Sequence, residues 1–168
     1  FKKKKITIKK FLSIFGKNKE IEKYITAVGK GKNIIKTKFP IKLENINYVR
    51  LYALMLSEGS FKSEFGLHVP EKEFHNIFKN SLLKLFNKSL KIKQRKFKDV
   101  SRSRSNQTIR HLLPIPLHIP KFILQDKNFS REYLRIAFEA EGSPILIKNK
   151  RYIKLARSVD ITKLINQK

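Results

Sequence analysis

The chain has 168 residues, 39 Lys+Arg against 13 Asp+Glu, and a formal net charge of +26 at pH 7. That length suffices for a packed core in one domain or two small ones, and 40% apolar residues with 13 Phe exceed what a disordered basic tail carries. The lack of cysteine removes disulfides, thiolate zinc sites and cysteine nucleophiles together, four scattered His leave no zinc finger, and no apolar run approaches the ~18 residues that cross a bilayer.

The chain opens at Phe1, runs into four lysines with no secretory pattern, and reads as one whose true start lies upstream. Residues 6–15 place Ile8, Phe11, Leu12 and Phe15 at helical spacing, with Gly16 as a stop. Gly29, Lys30, Gly31 and Lys32 lack the spacing of a phosphate-binding loop and read as a basic turn. Residues 47–58 (NYVRLYALMLSE) predict an apolar helix closed by Gly59, followed by an extended pair over 60–69 that bends near Gly66. Phe74, Ile77, Phe78, Leu82, Leu85 and Phe86 recur at three and four, and Pro70 precedes them, which predicts an amphipathic helix over 71–86. A second extended pair is expected at 90–98 and 107–113, with residues 101–105 (SRSRS) as a basic hairpin tip. Pro114, Pro116 and Pro120 break the chain before a short helical stretch ending at Leu124. A helix over 130–142, with Ser130 as N-cap and Glu132 in its first turn, ends at Gly142. A basic hairpin turning at Asn149 and Lys150 follows, and Asp160 opens a last helix. The order helix, two strands, helix, two strands, helix appears once in full and then restarts, the mark of an internal duplication.

The two restarting helices end alike, in Ser57-Glu58-Gly59-Ser60 and Ala140-Glu141-Gly142-Ser143, 83 positions apart. The glycines have a structural reading, since a left-handed residue past a helix end avoids the Cβ penalty. The glutamates do not, because a carboxylate in the last turn faces the negative end of the helix dipole, where a cation is favoured by ~0.3–1 kcal/mol. A bound cation reverses that penalty. Packed helices lie at ~8–10 Å, so these two would bring both carboxylates to one point, and carboxylate oxygens suit Mg²⁺ or Mn²⁺.

LYALMLSEG (51–59) and LRIAFEAEG (134–142) resemble the two LAGLIDADG motifs of monomeric homing endonucleases, and the resemblance covers about residues 47 to 168. It implies an α+β fold, a duplicated αββαββα with two central packed helices and a DNA-binding β-saddle, whose second half stops short here. It divides the chain into a basic N-terminal extension (1–46), a first half (47–126) and a truncated second half (127–168). It further implies Glu58 and Glu141 as catalytic metal ligands, with the backbone carbonyls of Ser57 and Ala140 beside them. The implied function is site-specific double-strand DNA cleavage by a monomer with Mg²⁺, or Mn²⁺ in its place. Ile136 stands where the family has a small residue, with Ala137 and Ala140 beside it, and Leu56 replaces the earlier acid of the first motif.

The residues support a polyanion partner on their own. Roughly one uncompensated positive charge per six residues repels itself and destabilises a compact chain, and nucleic acids are the usual polyanions. Lys62, Lys91, Lys93, Arg95, Arg110, Lys148, Arg151 and Lys154, on predicted strands, and Arg102 and Arg104, in the predicted tip, are the candidate DNA contacts. Each alone is equally a solvated surface cation. Gln94, Gln107 and Asn149 are candidate base readers. His68 and His75 read as ordinary polar residues rather than ligands, and Phe74, Phe78 and Phe86 as core. The alternatives are an intron-RNA-binding maturase, a catalytically degenerate DNA-binding relative, and a basic ribosome-associated or architectural protein; the last accounts for the charge but not for the paired Glu-Gly ends. The expected location is cytoplasmic or organellar, not secreted.

Overall fold

A computed structural model of the chain describes residues 25–29, 34–60, 65–86, 92–97, 100–105, 108–116, 118–147 and 150–155. The expected helices over 6–15 and from Asp160, and the basic turn past Gly29, lie outside them.

Helix α1 (Ile46–Glu58) begins where Asn45, in extended backbone, accepts the Asn47 amide on its side-chain oxygen at 2.8 Å. It is apolar almost all round, and Tyr48, Val49, Leu51, Tyr52, Ala53, Leu54 and Met55 are all buried. A helix of that kind must be covered on several sides. The covering elements are helix α2 (Lys72–Leu85) and helix α5 (Lys127–Glu141), with strand β4 (Phe65–Val69).

The expected amphipathic helix forms as α2, with Phe74, Phe78 and Leu82 as its buried stripe. Phe78 stacks on Phe65 of β4 at a centroid distance of 6.0 Å. A four-stranded antiparallel sheet runs in the order β3 (Gly59–Ser60), β4, β6 (Val100–Ser105), β5 (Lys93–Phe97). Phe65, Leu67 and Val69 of β4 point into the core and His68 lies exposed, the alternation of a half-covered sheet.

The second strand pair differs from the expected one. Residues 101–105 belong to β6 itself rather than to a hairpin tip, since β5 ends at Phe97 and β6 begins at Val100. The stretch expected as its partner strand instead holds the short helix α3 (Ile109–Leu112). The reason is burial: Ser103 lies fully inside against His75, which fixes this segment as a strand on the helices.

Helix α4 (Lys121–Gln125) leads into α5, which starts earlier than expected. Asp126, not Ser130, is the N-cap, accepting the amides of Asn128 and Phe129 at 2.8 and 3.0 Å. The Ser130 hydroxyl donates instead to the Ile123 carbonyl at 2.6 Å, tying α5 to α4. The Tyr48 hydroxyl donates to the Pro114 carbonyl and the Tyr52 hydroxyl to the Pro116 carbonyl at 2.9 Å. The proline segment is thereby strapped onto α1, and burial pushes the Tyr48 hydroxyl up to about 12.

Strands β7 (Gly142–Ile147) and β8 (Lys150–Leu155) form the expected separate antiparallel pair, but Lys150, expected in the turn, is the first residue of β8 and stands opposite Ile147. Strands β1 (Ala27–Val28) and β2 (Ile35–Lys36) pair ahead of α1, and Gly29 leaves β1 at φ 133°, which favours glycine. Ile35 is fully buried with residues of α1, α2 and α5 in one cluster, so part of the N-terminal segment belongs to the core.

Candidate helix-end carboxylate site and basic sheet face

Helices α1 and α5 pack side by side, and their contacts advance in the same direction. Tyr48, near the start of α1, lies 6.0 Å from Phe122, which meets Phe129 near the start of α5 edge-on at 5.9 Å. Arg50 then pairs with Glu132, and Tyr52 lies 5.8 Å from Tyr133. The helices therefore run parallel. Glu58 lies eight residues past Arg50 and Glu141 nine past Glu132, which is about 12 Å and about 13–14 Å along the axes. Both glutamates thus stand at the same end of the pair. Ile136 does not prevent the packing, since it is fully buried beside Ala137.

Both helices pass into a strand without an intervening residue. Glu58 and Glu141 are the last helical residues, and Gly59 and Gly142 the first of β3 and β7. The expected left-handed glycines are not found: Gly59 has φ −81°, ψ 146° and Gly142 φ −73°, ψ 123°, extended backbone open to any residue. Their amides still close the helices, bonding to the carbonyls of Met55 and Phe138. At Gly59 the requirement is space, because a Cβ would meet the Met55 carbonyl oxygen at 2.2 Å and its Cα at 2.7 Å. Neither helix has a basic residue in its last turn. The Ser57 hydroxyl donates to the Ala53 carbonyl at 2.9 Å, within the helix, and Ala140 lies half-buried against the core.

One feature of the interface was not legible in the sequence. Arg50 Nε donates to Glu132 Oε1 at 2.6 Å, and Arg135 donates to both oxygens of Glu132 at 3.0 and 3.2 Å. Arg135 also grips Glu139 through two bonds of 2.7 and 2.8 Å. The hydrogen bond from Arg135, and after it that from Arg50, hold the Glu132 carboxyl below the usual carboxylate range. Glu132 in turn, then Glu139, raises Arg135. Spacing shows Glu132, Arg135 and Glu139 as one stripe of α5, but nothing local points to Arg50.

The sheet carries the described part of the basic set. Lys93 and Arg95 of β5 are exposed, and the register places position 104 opposite Lys93 and position 102 opposite Arg95. Arg102 is also in register with His68. Directly opposed residues share a face, so Lys93, Arg95, Arg102 and Arg104 occupy four adjoining positions on the face that His68 shows to be outward. The other face holds Ser103, Phe65, Leu67 and Val69, which are buried; Gln94 shares its parity opposite Ser103 but is exposed at the edge strand. His75 fastens the sheet to α2: its Nε2 donates to the Val69 carbonyl at 3.0 Å, and its Nδ1 meets the Ser103 hydroxyl at 2.7 Å.

The remaining candidates do not join this block. Arg110 lies exposed on α3 and not on a strand. Arg151 and Lys154 lie on β8, three residues apart and so on opposite faces of it. Lys62, Lys91, Lys148, Gln107 and Asn149 lie outside the described residues.

The donor set suits a divalent ion of the Mg²⁺ kind. Such an ion is held through one or two carboxylates, keeps several waters and takes phosphate oxygens, so it needs no closed cage. Among the described residues there is no group of three or more His, Cys, Asp or Glu fit to hold a metal, and none is required for this mode. Comparison with protein-family models and with curated proteins finds no match to this chain.

Proposed function

We propose that this chain is a site-specific double-strand DNA endonuclease of the LAGLIDADG homing type, acting as a monomer with Mg²⁺ or Mn²⁺. The observation that carries the reading is the pair of parallel packed helices, each ending in Glu-Gly at the first residue of a strand. Glu58 and Glu141 would hold the ion, with the carbonyls of Ser57 and Ala140 as further oxygen donors, and the ion would bring the scissile phosphates to them. When bound, the ion supplies Lewis-acid stabilisation of the attacking and leaving oxygens and activates water. Lys93, Arg95, Arg102 and Arg104 neutralise phosphates along the duplex and seat it on the sheet. The wider architecture proposed is the duplicated αββαββα fold, of which the observed helix, strand pair, helix, strand pair and short helix would be the first copy. Helix α5 with the β7–β8 hairpin would open the second.

The test is a plasmid library of randomised duplex sites incubated with purified protein and Mg²⁺, with EDTA as control. Site-specific linearisation lost on chelation is expected, as is its loss in Glu58→Gln and in Glu141→Gln with duplex binding retained. Cleavage unaltered in those variants would refute the reading. Tight binding of a structured intron RNA over duplex, without cleavage, would replace it with the maturase function.

A further inference from the structure

The contact between α1 and α5 is mainly aromatic and aliphatic: Tyr52 against Tyr133, and the buried Ile136 and Ala137. Apolar contact is non-directional and roughly proportional to area, so it holds two helices together while constraining their axial slide weakly. The carboxylates at the far end need that slide fixed. A directional bond across the interface supplies the constraint, and Arg50–Glu132 is such a bond. It has a 2.6 Å N–O distance and lies at the edge of the interface, between an arginine side chain 36% exposed and a carboxylate 16% exposed. Arg135 completes the second oxygen of Glu132 and reaches on to Glu139, two residues before Glu141. Polar groups set into an apolar helix interface have their best-attested role in fixing register.

We infer that the Arg50–Glu132 bridge, completed by Arg135, is a register clamp that sets Glu58 and Glu141 at the same height. Arg50 and Glu132 are then positioning residues for the cleavage of both strands, acting through the two helices rather than on the substrate. The inference rests on the proposed endonuclease function for its catalytic consequence and on the packing geometry alone for its structural one.

The chain has no cysteine, so Ser60→Cys and Ser143→Cys, one residue past each Glu-Gly, place spin labels at two unique positions. Double electron–electron resonance then reads the distance between the two helix ends. A single narrow distance is expected with Arg50 and Glu132 present. A shifted or broadened one is expected in Arg50→Met, in Glu132→Gln and in the double variant, all with native circular dichroism, and Arg50→Lys should restore much of the narrow distribution. A residue that merely adds stability would lower the melting temperature and leave the distance alone. Distances identical in Arg50→Met, Glu132→Gln and the parent overturn the clamp; if Arg50→Met does not fold, Arg50→Lys and Glu132→Gln decide.

The unlabelled variants, assayed on a site recovered from the library, should lose about 10- to 100-fold in double-strand cleavage, the scale of a misplacement near 1 Å, with nicking persisting. Distances that move while the parent never cleaves uphold the clamp and defeat the endonuclease reading. Cleavage that depends on Glu58 and Glu141 but ignores both clamp residues, at unchanged distances, defeats the clamp alone.

Discussion

At position 59 a methyl group would fall 2.2 Å from the Met55 carbonyl oxygen, and that atom belongs to the helix backbone and cannot swing aside. Gly59→Ala should therefore cost about 1–3 kcal/mol, the range of overpacked sites, seen as a lower midpoint in denaturant unfolding, although φ at this residue suits alanine. Glu132 offers a second test with a definite sign. Its folded-state pKa lies below the ordinary 4.5, so the ionised form stabilises the fold above that pH, and the contribution is lost as pH falls through the lower, folded value. Below about pH 4.5 the parent should lose stability faster than Glu132→Gln, and the two should converge in strong acid. Parallel curves of denaturation midpoint against pH would exclude the ion pair as the cause.

Helix α2 was legible because its apolar residues recur at three and four over more than three turns, and α1 and α5 because an apolar stretch in each runs up to a Glu-Gly end. Strand β6 was not. Its SRSRS sequence alternates two polar types, so period two leaves no apolar face to read, and its inward position is declared only by Ser103 meeting His75 from α2. Residues 107–113 have the apolar content of a strand yet hold α3, because the chain must turn there toward the tyrosine-strapped prolines. The paired Glu-Gly ends were visible, whereas the reason for the glycine was not, since φ and close approach are not written in composition. Arg50 and Glu132 are 82 residues apart, beyond any local pattern. The His75–Ser103 contact predicts its own cost. Ser103→Ala leaves a buried imidazole nitrogen without its partner and should destabilise by about 1–3 kcal/mol, with amide exchange accelerated first in β4 and β6.

For the molecule as a whole, the apolar core joins β2, α1, α2 and α5 into one cluster, while Lys93 and Arg95 occupy register positions opposite Arg104 and Arg102 in the sheet. Cations facing each other across strands are destabilising by themselves, so this face gains from an anionic partner more than a mixed surface would. With ~6–10 phosphates neutralised, duplex affinity should fall about 10³–10⁵-fold between 50 and 200 mM salt, measurable by fluorescence anisotropy; a flat response would remove nucleic acid as the partner. No helix among the described residues is long and apolar enough to cross a membrane.

Glu58 ends α1 and Gly59 begins β3, so no hinge separates the carboxylate from the sheet. Anything that lies on the sheet and changes its twist must tilt the end of α1 by the same movement. Under the proposed function, a duplex that fits the outer face poorly would then misaim Glu58 even while held by the sheet's charges. Under that proposal grip and aim would be a single mechanical degree of freedom, and selectivity would arise from posture after binding has already occurred.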